Sequence, residues 1–186
     1  MIRKHFSREL EKIKKQILSL GAKVEEQVRM ATQAVETHDA ELAQQIIQSD
    51  YDIDEMEVEI EEECLKVLAL HQPVAVDLRR VATVLKINGD LERIADLAVN
   101  IGERVQSLVQ YPNFRFPQNL DQMVEISTSM VRDALDAFVR LDPESAREIC
   151  LRDDEVDDLN REVIEGLKIL IGTNAAEIEP TLQFFS

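Results

Sequence analysis

The sequence predicts an all-α protein, a tandem repeat of two antiparallel three-helix bundles in which the second lacks most of its third helix. Three observations predict it. Helix breakers and aromatics are scarce, with 5 Gly, 5 Pro, no Trp and 4% aromatic residues among 186, while 45% of the chain is hydrophobic. Apolar residues recur every three and four positions over long stretches. Finally, the stretch VRMATQAVETHDAELAQQIIQSDYDIDEM, shifted by 103 residues, lies over VRDALDAFVRLDPESAREICLRDDEVDDL without a gap. Val28 meets Val131, Asp39 meets Asp142, Ile46 meets Ile149, and Asp50 and Asp54 meet Asp153 and Asp157. A unit of about 100 residues used twice is a repeat.

The elements follow in order. Phe6, Leu10, Ile13, Ile17, Leu20, Val24, Val28, Ala31 and Val35 form the seam of a first helix, expected from Ser7 as N-cap to Thr37. HDAEL makes a corner. A second helix covers about 40–70, with a break expected near SDYDID, where Ser and Asp favour caps. Ile53, Met56, Ile60, Cys64 and Val67 continue its seam. LHQP is a turn, because the residue before proline is pushed out of the helical region. The third helix spans about 74–108, with an apolar stripe of Ile87, Leu91, Ile94, Ala98, Ile101, Val105 and Leu108. QYPNFRFPQN is the linker, which divides the chain into units 1–110 and 111–186. Helices are expected again at about 117–141 and 144–172. After GTNAAEIEP only TLQFFS remains, so the sixth helix is cut short and the second apolar face needs cover from elsewhere.

The net charge is −16, and an acidic field repels phosphate backbones, so nucleic acid is not an expected partner. The charge is uneven. Residues 1–23 hold seven Lys/Arg and two acids, leaving 14 bases and 35 acids for the rest. This basic start is either a solvated helix face or a contact for an acidic partner or membrane surface. Cys64 and Cys150 read as small core residues of a reduced, cytoplasmic protein. No apolar run approaches a membrane span, and MIRKHFSREL lacks the apolar middle of a signal peptide.

The chemistry-bearing feature is GDLERIADLAVNIGERV, residues 89–105. Glu92, Asp96, Asn100 and Glu103 form a polar stripe beside the apolar one. Asp50 and Asp54 stack likewise on the second helix. About the turn near residue 72, both pairs lie roughly 20 residues away, or about 30 Å at 1.5 Å per residue, so they sit at the same height. Converging carboxylates repel one another, and a cation removes that cost. Oxygen ligands suit Mg²⁺, Mn²⁺, Ca²⁺ and iron. Arg93 as counter-charge, or plain solvation, would also relieve the repulsion. Asp153 and Asp157 repeat the motif in the second unit. The three histidines, His5, His38 and His71, have no Glu three residues before them, which speaks against a ferritin-type iron site. Zinc-type spacings, Gly-rich phosphate loops and nucleophile elbows are absent from the sequence as well.

DLERIADLAVNIGERV, QPVAVDLRRV and the paired HDAELAQQII and LDPESAREIC resemble the PhoU phosphate-transport regulators over residues 5–186. The resemblance implies a pair of three-helix bundles and a cytoplasmic, non-enzymatic negative regulator of the phosphate-starvation response. It implies links to the phosphate ABC transporter ATPase and a sensor histidine kinase, membrane association through those partners, and a homodimer. It also implies metal ions (iron, Mn, Mg or Zn) on acidic-x-x-x-Asp motifs, here Asp50–Asp54, Glu92–Asp96 and Asp153–Asp157. The second motif expected on the sixth helix is missing. The competing expectation is a metal-storing or metal-dependent hydrolytic acidic bundle.

Overall fold

The computed structural model describes residues 2–111, 114, 119–173 and 178–185. Among these described residues seven helices follow one another: α1 Ile2–Thr37, α2 Ala40–His71, α3 Val76–Leu108, α4 Leu120–Arg140, α5 Pro143–Leu151, α6 Asp153–Thr173 and α7 Ile178–Phe185. No strand occurs among the described residues. Helices α1, α2 and α3 pack mutually as an antiparallel bundle. Helix α4 lies against α1 as well as α5 and α6, and α7 packs on α3 and α6.

The α1 seam buries Leu10, Ile13, Ile17, Leu20, Val24, Ala31 and Val35, as its periodicity predicts. α1 starts five residues earlier than expected, so Ser7 is an exposed helix residue and not an N-cap. The Arg and Lys before it favour helix, and nothing there breaks one.

The two expected corners are close copies. His38 and Leu141 take φ values of 53° and 58°. Asp39 accepts from the backbone N–H groups of Glu41 and Leu42, and Asp142 from those of Glu144 and Ser145. Each is an aspartate N-cap, and the two stand 103 residues apart.

Two expectations about breaks are corrected. α2 runs unbroken through SDYDID, whereas the second copy, expected as one helix over 144–172, breaks at Arg152 into α5 and α6. α2 is clamped between α1 and α3, with Ile46 and Ile53 buried, while α5 buries no residue. At the break, Asp153, Asp154 and Glu155 form an acidic first turn, where carboxylates meet the positive end of the helix dipole. The same exposure overturns the reading of Cys150 as core, since it is exposed on α5. Cys64 is buried as expected, and burial pushes its thiol up to about 11.

The seam of α3 also differs from the aliphatic stripe. Its buried positions are Val81, Val84, Asn88, Leu91, Ala95, Ala98, Gly102, Val105 and Leu108, and Ile101 is exposed. Small residues let α2 and α3 approach closely. A Cβ added at Gly102 would lie 3.2 Å from the Ala43 carbonyl oxygen.

QYPNFRFPQN and GTNAAEIEP fall partly outside the described residues. Phe114 is described and buried, and with Leu108, Val163 and Leu167 it forms a smaller core under Tyr111, Leu170 and Phe184. Among the described residues, no helix is long and apolar enough to cross a membrane.

Candidate functional site

The α2–α3 seam brings the two predicted carboxylate pairs together. Asp50 is half-buried and Asp54 exposed on α2; Glu92 is half-buried and Asp96 exposed on α3. Their mutual fields show the convergence. The Asp50 carboxyl is held above its usual range by burial, then by the charges of Asp54 and Asp96, against an opposing hydrogen bond from Gln27. Glu92 is raised by burial and by the charges of Asp96, Glu57 and Asp54, with a hydrogen bond that its protonated form donates to the Asp96 carboxylate adding to the effect.

Three members of this site are not evident from the acidic spacing. Glu57, one turn after Asp54, is raised by burial and by the charges of Glu61 and Asp54. Asn88, buried one turn before Glu92, donates to the Glu57 carbonyl at 2.8 Å and to its Oε1 at 3.3 Å. Gln27 is buried on α1 and donates to the Ile46 carbonyl at 3.4 Å and to Ser49 Oγ at 3.5 Å. The usable signal was amide residues interrupting apolar seams, at 24–27–31 on α1 and 84–88–91 on α3.

Among the described residues, three buried acceptors here lack a hydrogen-bond donor: Asp50 Oδ1, Gln27 Oε1 and Asn88 Oδ1. Arg93, the candidate counter-charge, is exposed and makes no ion pair among the described residues. Orphaned oxygens among uncompensated carboxylates are the donor chemistry of a hard cation site. The side chains as they stand do not close such a site, because among the described residues no three His, Cys, Asp or Glu groups meet as a metal-holding cluster.

The remaining candidates lie apart. Asn100 and Glu103 are exposed farther along α3, with no hydrogen bond or ion pair to α2 among the described residues. Asp153 and Asp157 are exposed in the first two turns of α6. The basic start of α1 is partly absorbed within the chain, through Lys12–Glu63 at 3.1 Å and Lys23–Asp52 at 3.4 Å.

Fold and site together define an all-helical protein with a carboxylate-lined seam between two of its long helices. The PhoU domain model matches residues 17–105 and 120–185, and the chain belongs to the PhoU family. It is 34% identical over 185 residues to a phosphate-specific transport system accessory protein PhoU homolog of Clostridium acetobutylicum, covering 99% of this chain and 84% of that protein. It is 35% identical to the phosphate-specific transport system accessory protein PhoU of Escherichia coli K12, over 82% of this chain and 63% of that one. The crystal structure of PhoU from Pseudomonas aeruginosa superposes with a TM-score of 0.90 at 33% identity, covering 96% of this chain and 86% of that chain.

Proposed function

We propose that this protein is an accessory regulator of a phosphate-specific transport system, acting by binding and not by catalysis. The observation that carries this is its similarity, along 99% of its length, to a protein so named. In this reading the chain is a cytoplasmic adaptor. It meets the transporter ATPase and a sensor histidine kinase, holds the phosphate-starvation response off when phosphate is plentiful, and works as a homodimer in which each chain carries the units 1–110 and 111–186. A knockout in the native host should express starvation promoters in phosphate-rich medium, and the chain supplied from a plasmid should silence them. Unchanged promoter activity in the knockout would sink the reading.

The carboxylate seam supports a second part of the proposal. Asp50, Asp54, Glu92 and Asp96, with Glu57 beside them, would hold a divalent or trivalent ion once their side chains turn toward it. The ion would supply the positive charge that the seam lacks. Elemental analysis of protein purified without chelators tests this against a Glu92→Ala/Asp96→Ala double variant. Stoichiometric metal in the parent and its loss in the variant is the expected result; a metal-free parent after incubation with Mn²⁺, Fe²⁺ or Mg²⁺ overturns it.

A further inference from the structure

Two residues interrupt the apolar seams that face α2 from either side. Gln27 on α1 is 2% exposed and Asn88 on α3 is 1% exposed. Both turn amide N–H groups toward the backbone of α2. Asn88 Nδ2 donates to the Glu57 carbonyl at 2.8 Å, and Gln27 Nε2 to the Ile46 carbonyl at 3.4 Å and to Ser49 Oγ at 3.5 Å. Ile46 and Glu57 stand 11 residues apart, with Asp50 and Asp54 between them. At 1.5 Å per residue that is about 16 Å of helix. The acidic stretch of α2 is therefore hooked near both its ends, once from each neighbouring helix. Each amide also meets a carboxyl of the stretch: Asn88 Nδ2 lies 3.3 Å from Glu57 Oε1, and Gln27 hydrogen-bonds Asp50.

We propose that Gln27 and Asn88 are positioning residues of the carboxylate seam, whose hooks fix the height of α2 against α1 and α3 and so hold Asp50 and Asp54 opposite Glu92 and Asp96. The inference rests on the cation reading of that seam. Apolar contact alone does not fix this height, because it is non-directional and the α3 seam at this level is built from the small residues Ala95 and Ala98. The converging carboxylates meanwhile push the helices out of alignment. A hydrogen bond is directional, and a polar residue in an apolar seam fixes register at a cost in stability. That cost is present in this bundle. Gln27 Oε1 and Asn88 Oδ1 are buried without a donor among the described residues. Nor does the helix pair itself demand an amide on α1. The second unit carries Met130 at the place of Gln27, half-buried on α4. Two amides kept at a cost, where apolar side chains would pack, serve the acids that lie between them.

Titration calorimetry of the full chain with Mn²⁺ tests the hooks on the parent, Gln27→Met, Asn88→Leu and, as a control outside the seam, Leu135→Ala. Melting of the metal-free proteins runs beside it. Both amide variants should bind Mn²⁺ roughly tenfold or more weakly, the scale of losing a residue that orients a ligand. They should melt at or above the parent temperature, since each removes a buried acceptor that has no donor. Leu135→Ala should melt lower and bind as the parent does, which separates alignment from stability. Should leucine overfill the α3 seam and prevent folding, Asn88→Ala takes its place, with the same loss of affinity expected. Parent affinity in both amide variants overturns the hooks and leaves the cation reading standing. A loss of affinity that merely tracks the fall in melting temperature across all three variants also overturns them, because the amides would then serve the core alone. A parent that takes up neither Mn²⁺ nor, in repeat titrations, Fe²⁺ or Mg²⁺ overturns both readings.

Discussion

At the scale of single residues, the carboxylate seam stores repulsion that protonation or a cation relieves. Asp50, Glu57 and Glu92 are all held above their usual pKa, in each case first by burial and then by neighbouring acids. A carboxyl raised on folding binds its proton more tightly in the folded chain. Its favourable contribution is present below the unfolded pKa, near 4.5 for Glu92, and is lost as pH rises through the raised folded value. Glu92→Gln should therefore stabilise the metal-free protein at pH 7 by about 0.5 kcal/mol, the scale of one like-charge pair a turn apart. That corresponds to a rise in Tm of about 1–2 °C. The gain should vanish below pH 4, and melting curves across pH 3.5–7.5 check it. A gain that grows toward low pH would contradict the assignment. The pairs Asp50–Asp54 and Glu92–Asp96 were legible in the sequence because i, i+4 spacing and distance from a turn are arithmetic. Gln27, Asn88 and Glu57 were not found that way, since their role depends on which face of each helix meets the others.

At the scale of elements, two glycines of α3 make a matched comparison. Gly102 sits where a Cβ would press on the Ala43 backbone carbonyl at 3.2 Å, and that oxygen belongs to a continuous helix that cannot turn aside cheaply. Gly89 faces open space. In a helix interior Gly→Ala gains about 1 kcal/mol from backbone entropy where nothing opposes it. Gly89→Ala should raise Tm by about 2–4 °C. Gly102→Ala loses that gain to crowding and should lower stability by about 1–2 kcal/mol. Calorimetric melting of the two variants decides it, and equal stabilisation by both would mean that α2 and α3 are farther apart than described. This close approach also explains why the aliphatic reading of α3 was partly wrong. Counting large residues selects Ile94 and Ile101, whereas the tight crossing is built from Ala95, Ala98 and Gly102. Lengths and corners of α1 to α4 were nearly right, because Asp caps and Pro73 mark them locally. The break at Arg152 was expected in the wrong copy, since Ser- and Asp-rich sequence permits a break and packing decides whether it happens.

At the scale of the whole molecule, the two halves share core. Leu135 of α4 belongs to the same buried cluster as Ile13, Ile17 and Leu20 of α1, with Val131 and Phe138 packed beside it. Its Cδ1 occupies the space that a Cβ on Gly21 would need, so the glycine is what admits α4 to α1. Arg132 and Glu25 pair across the same junction. None of this was legible in the sequence, because the repeat predicts each bundle separately and Leu135 falls 103 residues from Thr32, a position with no core role to copy. The shared core makes a specific claim about cooperativity. Leu135→Ala removes a side chain only 8% exposed and should cost about 2–3 kcal/mol. Because the cavity opens between α1 and α4, hydrogen exchange should accelerate in the amides of α1 to α3 as well as those of α4 to α7, and melting should remain a single transition lowered by about 5–10 °C. Faster exchange confined to α4–α7, with α1–α3 unaltered, would show that the bundles unfold separately and that Leu135 serves only its own half.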